Sequence, residues 1–123
     1  MADSYNQLEI FQKSMDLFYT THRLSHTLPK HELYELGSQI RRSCDGINSN
    51  IVEGYGRKRY KADFIKFLVY AHSSCDETKN HFKKLTVLYP ELVKDHLYLK
   101  EEFSNLSAKI YNFIKYVENN WKT

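Results

Sequence analysis

The chain has 123 residues, 41% of them hydrophobic and 27% charged, which fits one domain with a packed core and argues against wholesale disorder. The net charge of +3 is a mild excess, and only four Gly and two Pro occur, a composition suited to helices with few turns. The opening residues Met1 to Asn6 are polar, no cleavable apolar run follows them, and no stretch approaches membrane-spanning length, so the chain reads as soluble and cytoplasmic.

Residues 1–7 read as a frayed lead. The first helix is expected from about Leu8 to His26, its apolar stripe carried by Leu8, Phe11, Met15 and Phe18 with Leu24 near the end. Leu28-Pro29 stops it, because Pro disfavours helical geometry in the residue before it. The second helix is expected to start just after Pro29, with Glu32 and Glu35 where a helix N-terminus favours negative charge. It runs to about Tyr55, and Gly54 and Gly56 supply a left-handed stop. The third starts near Lys61 or Ala62, and Phe64, Phe67, Leu68, Ala71, Cys75, Thr78, Phe82 and Leu85 give it the clearest periodicity in the chain. Tyr89-Pro90 ends it, and a fourth helix begins around Glu91, with Leu99, Phe103, Leu106, Ile110, Phe113, Val117 and Trp121 on its stripe. Long helices joined by short loops run antiparallel to their neighbours. The expected fold is therefore all-α: a single domain over residues 1–123, an antiparallel up-down-up-down four-helix bundle.

Gln39 to Arg57 is the informative stretch. Leu33, Leu36, Ile40, Ile47 and Ile51 form an apolar stripe. Beside it Gln39, Arg42, Gly46, Asn50, Glu53 and Arg57 recur at the spacing of a second helix face. Glycine inside a helix costs about 1 kcal/mol relative to alanine, so Gly46 suggests close approach by another backbone. Two explanations stand together. Arg42, Asn50 or Glu53 could meet Ser74 and Glu77 of the third helix in a buried polar network. Alternatively the stripe packs against a neighbouring chain, which the ten Tyr and seven Phe favour.

The charge is concentrated. Residues 30–61 hold seven Lys/Arg against four Asp/Glu, ending in Arg57, Lys58, Arg59 and Lys61. Such a cluster suits phosphate, and it also suits a helix C-terminus, where the dipole favours cations. Catalytic groups do not converge. His22 and His26 share a helix face without the Glu-x-x-His companion of a bundle metal site. Cys44, beside Arg42, has no histidine at a helical neighbour position, and with Cys75 it reads as a reduced core thiol. Gly54-Tyr55-Gly56 has neither the spacing nor the preceding strand of a nucleotide-binding loop. No enzymatic activity, metal or cofactor is expected.

These residues are similar to the signature of the bacterial four-helix bundle protein family, also known as the intervening-sequence protein of large-subunit ribosomal RNA genes. Leu28, Pro29 and Glu32 match the lead into its second helix; Gln39, Arg41 and Arg42 match Gln-x-Arg-Arg. Ile47, Asn50, Ile51, Glu53, Gly54 and Arg57 match the rest of that helix, and Phe64, Phe67, Leu68, Ala71, Ser74 and Glu77 match the third. Gly46 stands where the pattern has Ser, and Asn48 where it has Pro, which should leave the helix straighter. The resemblance covers about residues 8–118. It implies a homopentameric ring with a central channel and no assigned enzymatic activity. The family's ribosomal name reflects gene location. A related branch comprises accessory proteins of diversity-generating retroelements, basic pentamers that bind a reverse transcriptase and nucleic acid. The expectation is a non-enzymatic, homo-oligomeric interaction module. The alternative is a nucleic-acid-binding accessory protein, RNA or DNA, acting through Arg57, Lys58, Arg59 and Lys61.

Overall fold

The structure, a computed structural model, describes residues 4–122. Among these the fold is all-α. Five α-helices follow one another: α1 Glu9–Ser25, α2 Leu36–Gly56, α3 Lys61–Leu88, the single turn α4 Pro90–Val93, and α5 Leu99–Asn120. Short 3-10 turns stand at Tyr5–Gln7, Lys30–Glu32 and Lys94–His96. The expected frayed lead is only partly testable, since residues 1–3 lie outside the described residues. From Tyr5 onward the lead is ordered, with the Tyr5 ring edge-on to Phe11 at 4.9 Å.

Helix α1 keeps its expected bounds to within a residue and buries much of its expected stripe, Leu8 included. Ile10, Phe11, Leu17 and Leu24 are buried, whereas Met15 and Phe18 are half-buried. The buried stripe passes through Ser14, Thr21 and Ser25. Two of these hydroxyls are satisfied locally: Ser14 Oγ donates to the Phe11 carbonyl at 2.8 Å and Ser25 Oγ to that of His22 at 2.7 Å. Small residues that close their own hydrogen bonds let α2 approach. Asn48 Nδ2 of α2 donates to Ser14 Oγ at 3.3 Å, and Arg41 Nη1 to Ser25 Oγ at 3.0 Å.

Helix α2 begins at Leu36, later than the sequence suggests. Pro29 is followed by a 3-10 turn, and Glu32 organises the delay. Its Oε1 accepts from the Leu36 amide at 3.3 Å, and its Oε2 accepts from the Tyr89 hydroxyl at 2.6 Å. Arg41 Nη2 donates to the Leu33 carbonyl at 2.6 Å. The expected left-handed glycine stop is also corrected, because no residue among those described has positive φ. Gly54 and Gly56 are both helical, and the chain leaves α2 through ordinary turn bonds, Arg57 N to Gly54 O and Lys58 N to Tyr55 O.

Helix α3 starts at Lys61, as its periodicity predicts. The fourth predicted helix is divided: buried Val93 and Leu99 anchor α4 and α5 on either side of an irregular corner.

The core is continuous. Ile40, Ile47 and Ile51 of α2, Phe64, Leu68 and Cys75 of α3, and Phe103, Ile110 and Val117 of α5 are fully buried. Ser43 of α2 lies by Thr78 of α3, Gly46 by Ser74, and Gly54 by Phe67. Cys75 Sγ donates to the Phe103 carbonyl at 3.3 Å, and Lys61 Nζ to that of Glu118 at 2.6 Å. Trp121 Nε1 reaches the Lys58 carbonyl at 2.7 Å, closing that end. No helix among the described residues is long and apolar enough to cross a membrane.

Burial pushes both thiols, Cys44 and Cys75, up to about 12. At pH 8 that leaves on the order of one thiolate in ten thousand, and the thiolate is the nucleophile. The folded protein should therefore resist Ellman's reagent and release both thiols only on unfolding; fast labelling of native protein would contradict the packing.

Candidate functional site

The second stripe of α2 lies outside its own core. Gln39, Arg42, Glu53 and Arg57 are exposed, and Gly46 and Asn50 are half-buried along the seam with α3. The geometry at Gly46 is close. A Cβ there would sit 3.0 Å from Ser74 Oγ, so Ser74 occupies the space that a side chain would take. Asn50 Nδ2 folds back onto the Gly46 carbonyl at 2.8 Å. Across the seam the Thr78 hydroxyl stands 2.8 Å from the Ser74 carbonyl and 2.9 Å from Ser43 Oγ.

The structure thus brings Gly46 to Ser74. Among the described residues it does not bring Arg42, Glu53 and Glu77 together. Glu53 pairs with Arg57 at 2.7 Å, and Glu77 stands 3.4 Å from His81 Nε2. Arg42 meets no hydrogen-bonding or charged partner among the described residues. The reason is geometric: the stripe faces outward, so Glu53 and Glu77 meet groups one turn away, Arg57 and His81.

Sequence reading assigned Phe67 to the core and did not single out Tyr70. Phe67 is half-buried beneath the Arg57 guanidinium, 4.8 Å from ring centre to charge, and Tyr70 is edge-on to it at 5.4 Å. Arg57 also lies 3.8 Å from Asp63. Stripe and rings therefore share one outer surface of the α2–α3 pair. The available signal was the spacing of Phe67, Tyr70, Ser74 and Glu77, which places them on one side of α3.

The four cations after α2 do not converge. Arg57 is held by Glu53 and Asp63, and Lys61 by the Glu118 carbonyl. Lys58 Nζ lies 3.7 Å over the Tyr55 ring, and exposed Arg59 is 5.9 Å from the Tyr60 ring. The His22 and His26 rings are 4.7 Å apart, but His26 Nδ1 sits 2.8 Å from the His22 carbonyl. No group of three or more His, Cys, Asp or Glu among the described residues could hold a metal ion.

The family model of the 23S rRNA-intervening sequence protein matches residues 6–119, nearly the whole chain. The chain belongs to this family. Comparison with curated proteins gives no match. The match spans both the outer stripe and the Glu32–Tyr89 tie between the start of α2 and the end of α3.

That tie has a pH signature. The Tyr89 hydroxyl hydrogen bond holds the Glu32 carboxyl below its ordinary value, against the opposing effect of burial. The same bond raises Tyr89. A lowered carboxyl contributes stability above its unfolded value, about 4.3, and loses it as pH falls through the lowered folded value. A raised phenol contributes below about 10 and loses it as pH rises through the folded value. The stability gap between wild type and Tyr89→Phe should therefore be widest near neutrality and narrow below about pH 4. Urea midpoints across pH check this; a gap that grows on acidification contradicts it.

Proposed function

We propose that this chain is a cytoplasmic, non-enzymatic, homo-oligomeric helical interaction module, assembled as a pentamer through the outer surface of α2 and α3. One observation carries the reading: α2 presents a second ordered face outside its own core. There Gly46 lets Ser74 close in at the edge of the seam, and Arg42 has no partner among the described residues. Tyr and Arg are enriched at interfaces, and Phe67, Tyr70 and Arg57 flank the seam. The four long helices suit an up-down-up-down bundle. Contacts of Ser43, Gly46 and Gly54 with Thr78, Ser74 and Phe67 run in reverse order and support it.

Gly46→Leu tests the surface. Its Cβ meets only Ser74, whose hydroxyl can rotate away, and Gly46 is half-buried, so the fold should survive. Helicity by circular dichroism should be retained while the mass by light scattering falls. An unchanged mass would count against the surface.

The second reading is a nucleic-acid-binding accessory protein that acts with a reverse transcriptase through the basic end of α2. It rests on the exposed Arg59 beside Lys58 at the end of α2. It has less support, because Arg57 and Lys61 are engaged by the chain itself.

A further inference from the structure

The side of α3 that meets α5 carries a different surface. A cavity of about 280 Å³ opens between α3 and α5. Lys79 and Lys83 rise from one wall and Lys100 from the other. Buried Phe82 and Phe103 close the floor. A second recess shares Asn80 and Lys83 with the first and continues to Lys84, Val87 and Leu88. No carboxylate lines either recess. Lys79 alone is offset, by Asp76 at 3.3 Å, while Lys83, Lys84 and Lys100 have no acidic partner among the described residues. Val87 is 75% exposed and Leu88 58%, an apolar strip directly beside the lysines.

We propose that this flank is a docking groove for an acidic amphipathic helix of a partner protein. Charge complementarity selects the sign: facing lysines with unneutralised ammonium groups favour a carboxylate-bearing segment and steer its approach. The aliphatic strip selects the amphipathic character, because a helix that lays one apolar face on Val87 and Leu88 can turn carboxylates toward Lys83 and Lys100. The lysine stems line the walls with methylene groups while their charges stay at the rim. Single-stranded nucleic acid fits less well. Its bases stack on exposed aromatic faces, and here the two rings are buried in the floor.

The test uses the full chain and a fluorescent helical peptide carrying Leu and Glu on opposite faces, with oligothymidylate and phosphatidylglycerol vesicles as competing probes. Anisotropy should show peptide binding that weakens with added salt. Lys83→Glu with Lys100→Glu should weaken it about tenfold or more. Val87→Ser with Leu88→Ser should weaken it as well, whereas Arg59→Glu should not. All of these side chains are exposed, and circular dichroism checks that each variant is folded. Failure of the peptide to bind at low salt would overturn the proposal. So would binding that survives both groove variants, or oligothymidylate or vesicles binding through these lysines while the peptide does not.

Discussion

Phe64→Ala is expected to destabilise the protein by about 3–5 kcal/mol, the range for deleting a fully buried aromatic ring. Phe64 is the hub of one end of the fold. It is fully buried, with Tyr55, Phe113 and Trp121 edge-on at 6.1, 5.9 and 5.2 Å. Its removal leaves a cavity bordered by α2, α3 and the end of α5, and aromatic pairs of this kind add about 0.5–1.5 kcal/mol each beyond area burial. Collapse into the cavity is restrained, because the Trp121 indole is tied to the Lys58 carbonyl and Lys61 to that of Glu118. Domains are stable by only about 5–15 kcal/mol, so the variant should lose a large part of its margin. Urea unfolding measures it; a loss below about 1 kcal/mol would mean that the ring is not packed as described.

Gly54→Leu should be the second most damaging change. A Cβ at Gly54 would lie 3.1 Å from Phe67 Cβ and 3.3 Å from the Phe64 carbonyl oxygen. The second neighbour is helix backbone and cannot rotate away. Alanine gains about 1 kcal/mol of helix propensity over glycine, which offsets part of this crowding. Leucine adds more volume at a seam with no room, and overpacking costs about 1–3 kcal/mol and occasionally more. Gly46→Ala is the matched control. Its close neighbour is the tip of Ser74, so the propensity gain should leave chain stability unchanged or slightly raised. Thermal melts of the two alanine variants should therefore rank Gly54 below Gly46. The opposite order would contradict the α2–α3 register.

This contrast also shows where the sequence was readable. Helix α3 was plain because Phe64, Leu68, Ala71, Cys75, Phe82 and Leu85 are apolar and all buried. The face of α1 is only partly legible, because between Leu8, Phe11 and Leu24 it also runs through Ser14, Thr21 and Ser25. A hydroxyl that bonds its own backbone costs little to bury, yet it interrupts an apolar pattern. The start of α2 depends on Tyr89, 57 positions from Glu32, and no local signal reports a partner so distant. Gly54 reads as a helix stop unless Phe64 and Phe67 are known to lie against it. The outer stripe was legible as a face, since helical spacing alone places its residues. The partner of each side chain was not, because an exposed charge selects its neighbour by distance in the folded molecule.

The central claim is that the second face of α2 is built for another copy of this chain. Sedimentation equilibrium of the unmodified protein at micromolar concentration tests it most directly. The expected result is a single species of five times the 14.7 kDa chain mass. A single species at 14.7 kDa across that range would contradict self-association.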